Sequence, residues 1–251
     1  MDSGLYAAYT GLLARTQALD TASNNLANAG TGGFRSSKDY FQGVLVDNLG
    51  GLGGDSQVGQ TVNDFGVLGG NLLDFSQGQF SATGNPLDLA LEGDGFFAVQ
   101  TPVGTRYTRQ GNFSVSATGV LVDPQGDPVL DAQQQQIVIP TGNVNVSSNG
   151  TISVATAAGS TIVGQVGVYT VPDKRVMKAD GVNRLSIPAT VTPIAGTATM
   201  REGSIEGSNE DAIQGTMQLV LVQRQTEMMQ KALSLFNSEF DKTAAEDLPK
   251  V

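Results

Sequence analysis

The sequence contains no cysteine, no histidine and no tryptophan. Without Cys there is no disulfide, no thiolate nucleophile and no thiolate metal ligand. Without His the commonest general base and the commonest metal ligand are both missing. Ser/His/Asp triads, Cys/His proteolysis and His-ligated zinc are therefore excluded. Aromatic residues make up only 6% of the chain, so a core has to be built from Val, Leu, Ile, Ala and a few Phe. Basic residues are also scarce, 14 against 24 acidic ones, for a formal net charge of -10. Such a chain lacks the Lys and Arg surplus that neutralises phosphates, so no nucleic acid is expected as a partner. Its charge favours solubility. No apolar run approaches the roughly 18 residues of a membrane span. The opening Met1-Asp2-Ser3-Gly4 has neither a basic segment nor an apolar one, so no cleaved signal peptide is expected.

Glycine, by contrast, is abundant, at 32 of 251 residues. Glycines and prolines concentrate in the middle of the chain, where alternating apolar residues are cut by turn signals. Leu87-Asp88-Leu89-Ala90-Leu91 leads into Glu92-Gly93-Asp94-Gly95 and then Phe96-Phe97-Ala98-Val99. Asp123-Pro124-Gln125-Gly126 separates Val120-Leu121-Val122 from Val129-Leu130. Asn149-Gly150 between two alternating runs predicts a hairpin, because both residues tolerate positive φ.

The two ends read differently. Leu5, Leu12, Leu19 and Leu26 recur every seven residues, a helical seam over about Ser3 to Asn28 and roughly 39 Å long. Asn28-Ala29-Gly30 supplies its stop. Near the other end, Ser208-x-x-Asp211 resembles a capping box for a helix over about Ser208 to Thr243. Met217, Leu221, Met228, Ala232 and Leu235 form one apolar line on it. Ala212, Leu219, Thr226, Leu233 and Phe240 form a second. Two lines predict contacts with more than one neighbour. Seams of this kind pack on the β region as ordinary core helices, or pair with each other and with copies in other subunits, which builds open helical assemblies.

Three stretches carry a family resemblance. Asn24-Asn25-Leu26-Ala27-Asn28 followed by Thr31-Gly32-Gly33-Phe34-Arg35 resembles the N-terminal signature of the rod and hook proteins of the bacterial flagellum. Thr83 to Phe97, leading into Tyr107-Thr108-Arg109-Gln110-Gly111-Asn112-Phe113, is similar to that family's approach to its β domain. Gly203-Ser204-Ile205-Glu206-Gly207-Ser208-Asn209 and Gln223-Arg224 are similar to its C-terminal segment. Glu210 and Gln225-Thr226-Glu227 depart from the family pattern. The resemblance implies an α+β fold, with long terminal helices forming a coiled-coil-like core, a mainly β central domain and an extended arm. The segments expected are 1–34 (N-terminal helical core), 35–83 (arm or hairpin), 84–203 (β body) and 204–251 (C-terminal helical core).

The function implied is that of a structural axial subunit of the basal-body rod. The opening Met1-Asp2-x-x-Leu5-Tyr6 and the length favour the proximal type, which has a single β domain, over the distal rod subunit. Its partners would be other rod subunits, copies of itself and the flagellar type III export apparatus, and its place the periplasmic rod. The terminal segments are expected to order on assembly. Contact residues implied for assembly are Leu5, Leu12, Leu19, Asn24, Asn25, Leu26, Asn28 and Phe34, and on the C-terminal side Asn209, Met217, Leu221, Arg224, Met228 and Leu235. Asn24, Asn25 and Asn28 have a plainer reading as a helix stop.

Other chemistries are weaker. Glu92/Asp94 and Asp123/Asp127 do not have the spacing of a Ca²⁺ loop. Asp88 and Glu92 could serve a glycosidase only if they faced each other across a cleft. The glycine runs at 50–54 and 69–70 lack a phosphate-loop Lys. No enzyme activity and no cofactor are expected. A secreted β-rich adhesin or phage-tail-like subunit would explain the β composition but not two terminal seams.

Overall fold

The computed structural model describes the backbone of residues 2–42, 67–156, 159–181 and 183–247, and within these the side-chain surroundings of 9–40, 70–235 and 238. The chain divides into two compact units. One comprises residues 1–26, 37–72 and 212–251, the other 27–36 and 73–211.

The first unit holds both helices. Helix α1 spans Asp2–Ala27 and helix α2 spans Ala212–Asp247. Ser37–Gln42 pairs with Val67–Leu73 in a two-stranded sheet. Of the expected arm over 35–83, residues 43–66, with the glycine run at 50–54, lie outside the described residues. On α1 the buried positions are Gly11, Ala14, Ala18, Ala22 and Asn25, a strip of small side chains. Leu12, Leu19 and Leu26 each follow a buried position by one residue. They therefore lie about 100° round the helix and are half-buried. The side-chain surroundings of Leu5 are outside the described residues.

On α2 the inward positions are Gly215, Leu219, Val222, Thr226, Met229 and Leu233, buried or half-buried. Their alternating spacing of four and three is that of a heptad seam. The Thr226 hydroxyl is buried there and donates to the Val222 carbonyl at 2.9 Å, so it enters the seam already satisfied. The start of α2 differs from the sequence expectation. Ser208 Oγ accepts from the Glu210 amide at 3.0 Å, a local turn, and the helix begins only at Ala212.

The second unit is the β body. Its six-stranded antiparallel sheet runs, in spatial order, Lys178–Ala179, Arg184–Ser186, Gly104–Thr108, Phe96–Thr101, Val168–Thr170 and Ile194–Ala195. Phe97 and Val99 point into a core with Leu89, Phe113, Leu121 and Val129. Phe96 and Ala98, one residue out of step, point into a second core with Tyr107, Tyr169 and Leu185. A strand buried on both faces reads as a continuous apolar run, which is why Phe96-Phe97-Ala98-Val99 does not alternate. Edge-on ring pairs occupy both sides, Phe97 on Phe113 at 5.0 Å and Tyr107 on Tyr169 at 6.1 Å. Leu89–Glu92 likewise buries Leu89, Ala90 and Leu91 together rather than alternating.

A three-stranded meander of Asn143–Val146, Thr151–Thr156 and Gly159–Gln165 closes the first core with Val146, Ile152 and Val154. The expected hairpin at Asn149-Gly150 is present, with a longer turn than two residues. The Gly150 amide donates to the Ser147 carbonyl at 2.8 Å, and Gly150 alone takes a positive φ, 83°. At Asp123-Pro124-Gln125-Gly126 the Asp123 carboxylate accepts from the amides of Gln125 and Asp127, as an Asx turn should. Asp123 and Asp127 both also pair with Arg184.

Candidate assembly site and its buried junction

Residues 33–36, 73–78, 107–111 and 203–209 meet inside the β body around one carboxylate. Glu206 ends the short strand Ser204–Glu206, which pairs with Phe80–Ala82. Its side chain is fully buried. One oxygen takes Arg35 Nη2 at 2.5 Å and the Gly78 amide at 2.9 Å; the other takes Arg109 Nη1 at 3.1 Å. The Gly33 amide donates to the Glu206 carbonyl at 2.9 Å. Arg109 also donates to the carbonyls of Leu91 and Gly93 and lies 5.2 Å over the Phe96 ring. Burial pushes its guanidinium down from the ordinary value; Glu206 opposes this and the charge of Arg35 adds to it. Two guanidiniums face one carboxylate, and the Nε atoms of both have no hydrogen-bond partner among the described residues.

Asn209 makes the second half of the junction. Its Oδ1 accepts from the Ser36 amide at 2.8 Å, and its Nδ2 donates to the Asp74 carbonyl at 2.8 Å and to Ser76 Oγ at 3.2 Å. Phe34, buried, gives its carbonyl to the Asn209 amide at 3.4 Å. Glycine is required where backbones touch. A Cβ on Gly33, whose φ is 71°, would sit 2.3 Å from the Gln110 nitrogen, and one on Gly111 would sit 1.7 Å from the Leu89 oxygen. Phe34 and Asn209, read from sequence as contacts to other subunits, are thus engaged within their own chain.

The asparagines at the end of α1 are also used internally. Asn25 spends both amide atoms on Ser37, accepting from its amide at 2.9 Å and donating to its carbonyl at 2.8 Å. Beside it the Thr21 hydroxyl donates to Asp39 at 3.1 Å. Burial raises the Asp39 carboxyl above its ordinary value and the Thr21 bond partly offsets this. Asn28 Oδ1 accepts from the Thr31 hydroxyl at 3.2 Å, the plain turn reading. Asn24 is exposed.

The outward side of α2 is different in kind. Met217, Leu221, Met228 and Leu235 are 54–65% exposed, and Ile213 and Val220 extend the same line. Arg224 is exposed among them. This line lies on the opposite side of the helix from the heptad seam. Tyr9 and Leu13 are the corresponding exposed apolar residues of α1. An exposed contiguous apolar strip of this length marks an interaction surface.

Comparison with known proteins gives the context. Residues 5–35 match the family described as flagella basal body rod protein, and residues 90–154 match the D1 domain of flagellar hook proteins FlgE/F/G. The flagellar basal-body rod protein FlgF of Caulobacter vibrioides is 33% identical over 254 aligned residues, covering all of both chains. The chain belongs to the flagellar basal-body rod protein family. Further rod-family relatives are FlgG of Bacillus subtilis, 32% identical over 88% of this chain and 89% of that protein, and FlgF of Escherichia coli, 32% identical over 91% and 93%.

The rod-family motifs therefore have a structural meaning in this chain. The motif at 31–35 delivers Gly33 and Arg35, that at 107–113 delivers Arg109 and Gly111, and that at 203–209 delivers Glu206 and Asn209. From sequence, Arg35, Arg109 and Glu206 stand inside family-like motifs with no role assigned to any of them. One signal could have found them: isolated charges inside glycine-rich, otherwise neutral motifs, which favour burial with a counter-charge. Arg106, by contrast, pairs with half-exposed Asp180 at the surface.

Proposed function

We propose that this chain is a structural axial subunit of the flagellar basal-body rod, of the proximal type, which polymerises through its terminal helices and transmits torque along the rod. The observation that carries this reading is the two-sided α2. A heptad seam faces inward, and a second apolar line on the opposite side is left in solvent. The seam of α2 and the small-residue strip of α1 suit close pairing as a coiled-coil core, since small side chains shorten the distance between helix axes. The outer line, with Met217, Leu221, Met228 and Leu235, then serves neighbouring subunits. Each such side chain contributes about 1.5–3 kcal/mol when a partner covers it, and an identical strip on every subunit generates a heterologous, open-ended contact. Leu12, Leu19 and Leu26 flank the inner strip of α1 and are assigned to the same contacts, with Leu5 one heptad earlier.

The proximal assignment rests on there being a single β body among the described residues. The chain reaches the periplasmic rod through the flagellar type III export apparatus. Cross-linking mass spectrometry of detergent-extracted basal bodies tests the reading. Cross-links from 212–235 to other rod subunits are expected. Intact basal bodies that contain the other rod proteins but not this chain would overturn it.

A further inference from the structure

Residues 132–172 contain no Asp, Glu, Lys or Arg, in a chain of which 15% is charged. This stretch includes the whole three-stranded meander. One face of the meander is buried on the core through Val146, Ile152 and Val154. The strand register puts Asn145, Ser153 and Ile162 in one row on the other face, and Asn143, Ala155 and Ser160 in the next. Ile162 is 71% exposed at the end of the first row. Glu202 lies at its border and accepts from Asn145 Nδ2 at 3.1 Å.

The outer strand of the meander, Gly159–Gln165, is seven residues long and pairs on one side only, with Thr151–Thr156, among the described residues. It carries no charge and no proline. Such an edge is a template for pairing unless it is blunted. The same molecule does blunt its other sheet. The two edges of the six-stranded sheet, Lys178–Ala179 and Ile194–Ala195, are two residues each; one carries Lys178 and the other follows Pro193. Protection at one sheet and none at the other marks the meander as a surface meant to be covered.

The charge distribution selects the occupant. A basic partner would be met by carboxylates, which this chain has in excess. A neutral surface on a chain of net charge -10 suits a partner of the same sign, because it is where two acidic surfaces can approach without opposed charges. We infer that the meander face around Ile162, with the free edge 159–165, docks against a second copy of this chain. The inference deepens the polymer-subunit reading and rests on it.

The test places a photo-cross-linking amino acid at position 162, and separately at position 221, in cells producing two differently tagged copies of the full chain. Basal bodies are then isolated. Cross-linked products carrying both tags from position 162 are expected, with loss of that product when Ser160→Glu is added. Cross-links from 221 to rod subunits, with none from 162 or with 162 joined only to other proteins, would overturn the inference and leave the rod reading standing. Absence of the tagged chains from basal bodies that are otherwise complete would overturn both.

Discussion

Replacing Glu206 by Gln probes the junction at its centre. The side chain is fully buried and takes three donors, two of them guanidinium groups. Gln keeps the shape but removes the charge, and turns an amide nitrogen toward one of its donors. It leaves Arg35 and Arg109, both buried, without the carboxylate they share. Breaking a buried pair in this way costs about 3–5 kcal/mol, a large share of the roughly 5–15 kcal/mol that holds a domain together. With a urea m-value of about 2 kcal/mol per M, the unfolding midpoint of the β body should fall by about 2 M. The assay is urea unfolding of the purified chain, followed by circular dichroism in the β region. Arg35→Met is the companion change, because among the described residues Arg35 donates only to Glu206 and to the carbonyl of Phe34. Glu206→Gln combined with Arg35→Met should cost less than the sum of the singles, with a coupling of about 0.5–3 kcal/mol. A midpoint shift under about 0.5 M, or strict additivity, would refute the view that this carboxylate holds the junction.

Further outcomes follow from the same structure. Gly111→Ala would place its Cβ 1.7 Å from the Leu89 oxygen, so the β body should lose its cooperative unfolding transition or melt far below the parent; a parental melting curve would contradict the close approach. Leu221→Asp with Met228→Lys should leave the melting curve unchanged, since both side chains are exposed, yet abolish incorporation into basal bodies and swimming in a complementation assay. Burial raises the Asp39 carboxyl above 3.8, so its stabilising contribution is complete below that value and is lost as pH rises through the elevated folded-state value. Asp39→Asn, which can still accept from Thr21, should flatten the decline in helix-unit stability over that window, measured by thermal unfolding at stepped pH; an unchanged pH profile would count against it.

Much of this architecture was legible because it is local. A seven-residue recurrence of leucine marks a helix without any knowledge of what it touches, and α1 spans Asp2–Ala27 against an expected start and stop one residue later. Turn chemistry at Asp123 and Gly150 is equally short-ranged. Which side of a helix faces inward is not local. On α2 both lines are apolar, and the choice goes to Gly215, Val222, Thr226 and Leu233, with glycine and threonine that a hydrophobicity pattern discounts. The central sheet was hidden for the same reason: Phe96–Thr101 sits between Gly104–Thr108, its hairpin partner, and Val168–Thr170, far along the chain. Arg35 and Glu206 are separated by 171 positions, and nothing within a short window says that one needs the other.

The junction has a topological consequence. The chain returns to the body at 73–79 and ends its last pass at 206–209, and these two segments are bonded to each other by Gly78 to Glu206, Gly207 to Gln79 and Asn209 to Asp74. Everything between them is therefore a loop closed at its neck. Such a loop can lengthen, shed strands or acquire a new lobe without altering the spacing of the two chain ends that leave it, the condition under which inserted domains are tolerated. A protein family can in this way vary the body it carries while the points at which the chain enters and leaves that body stay fixed.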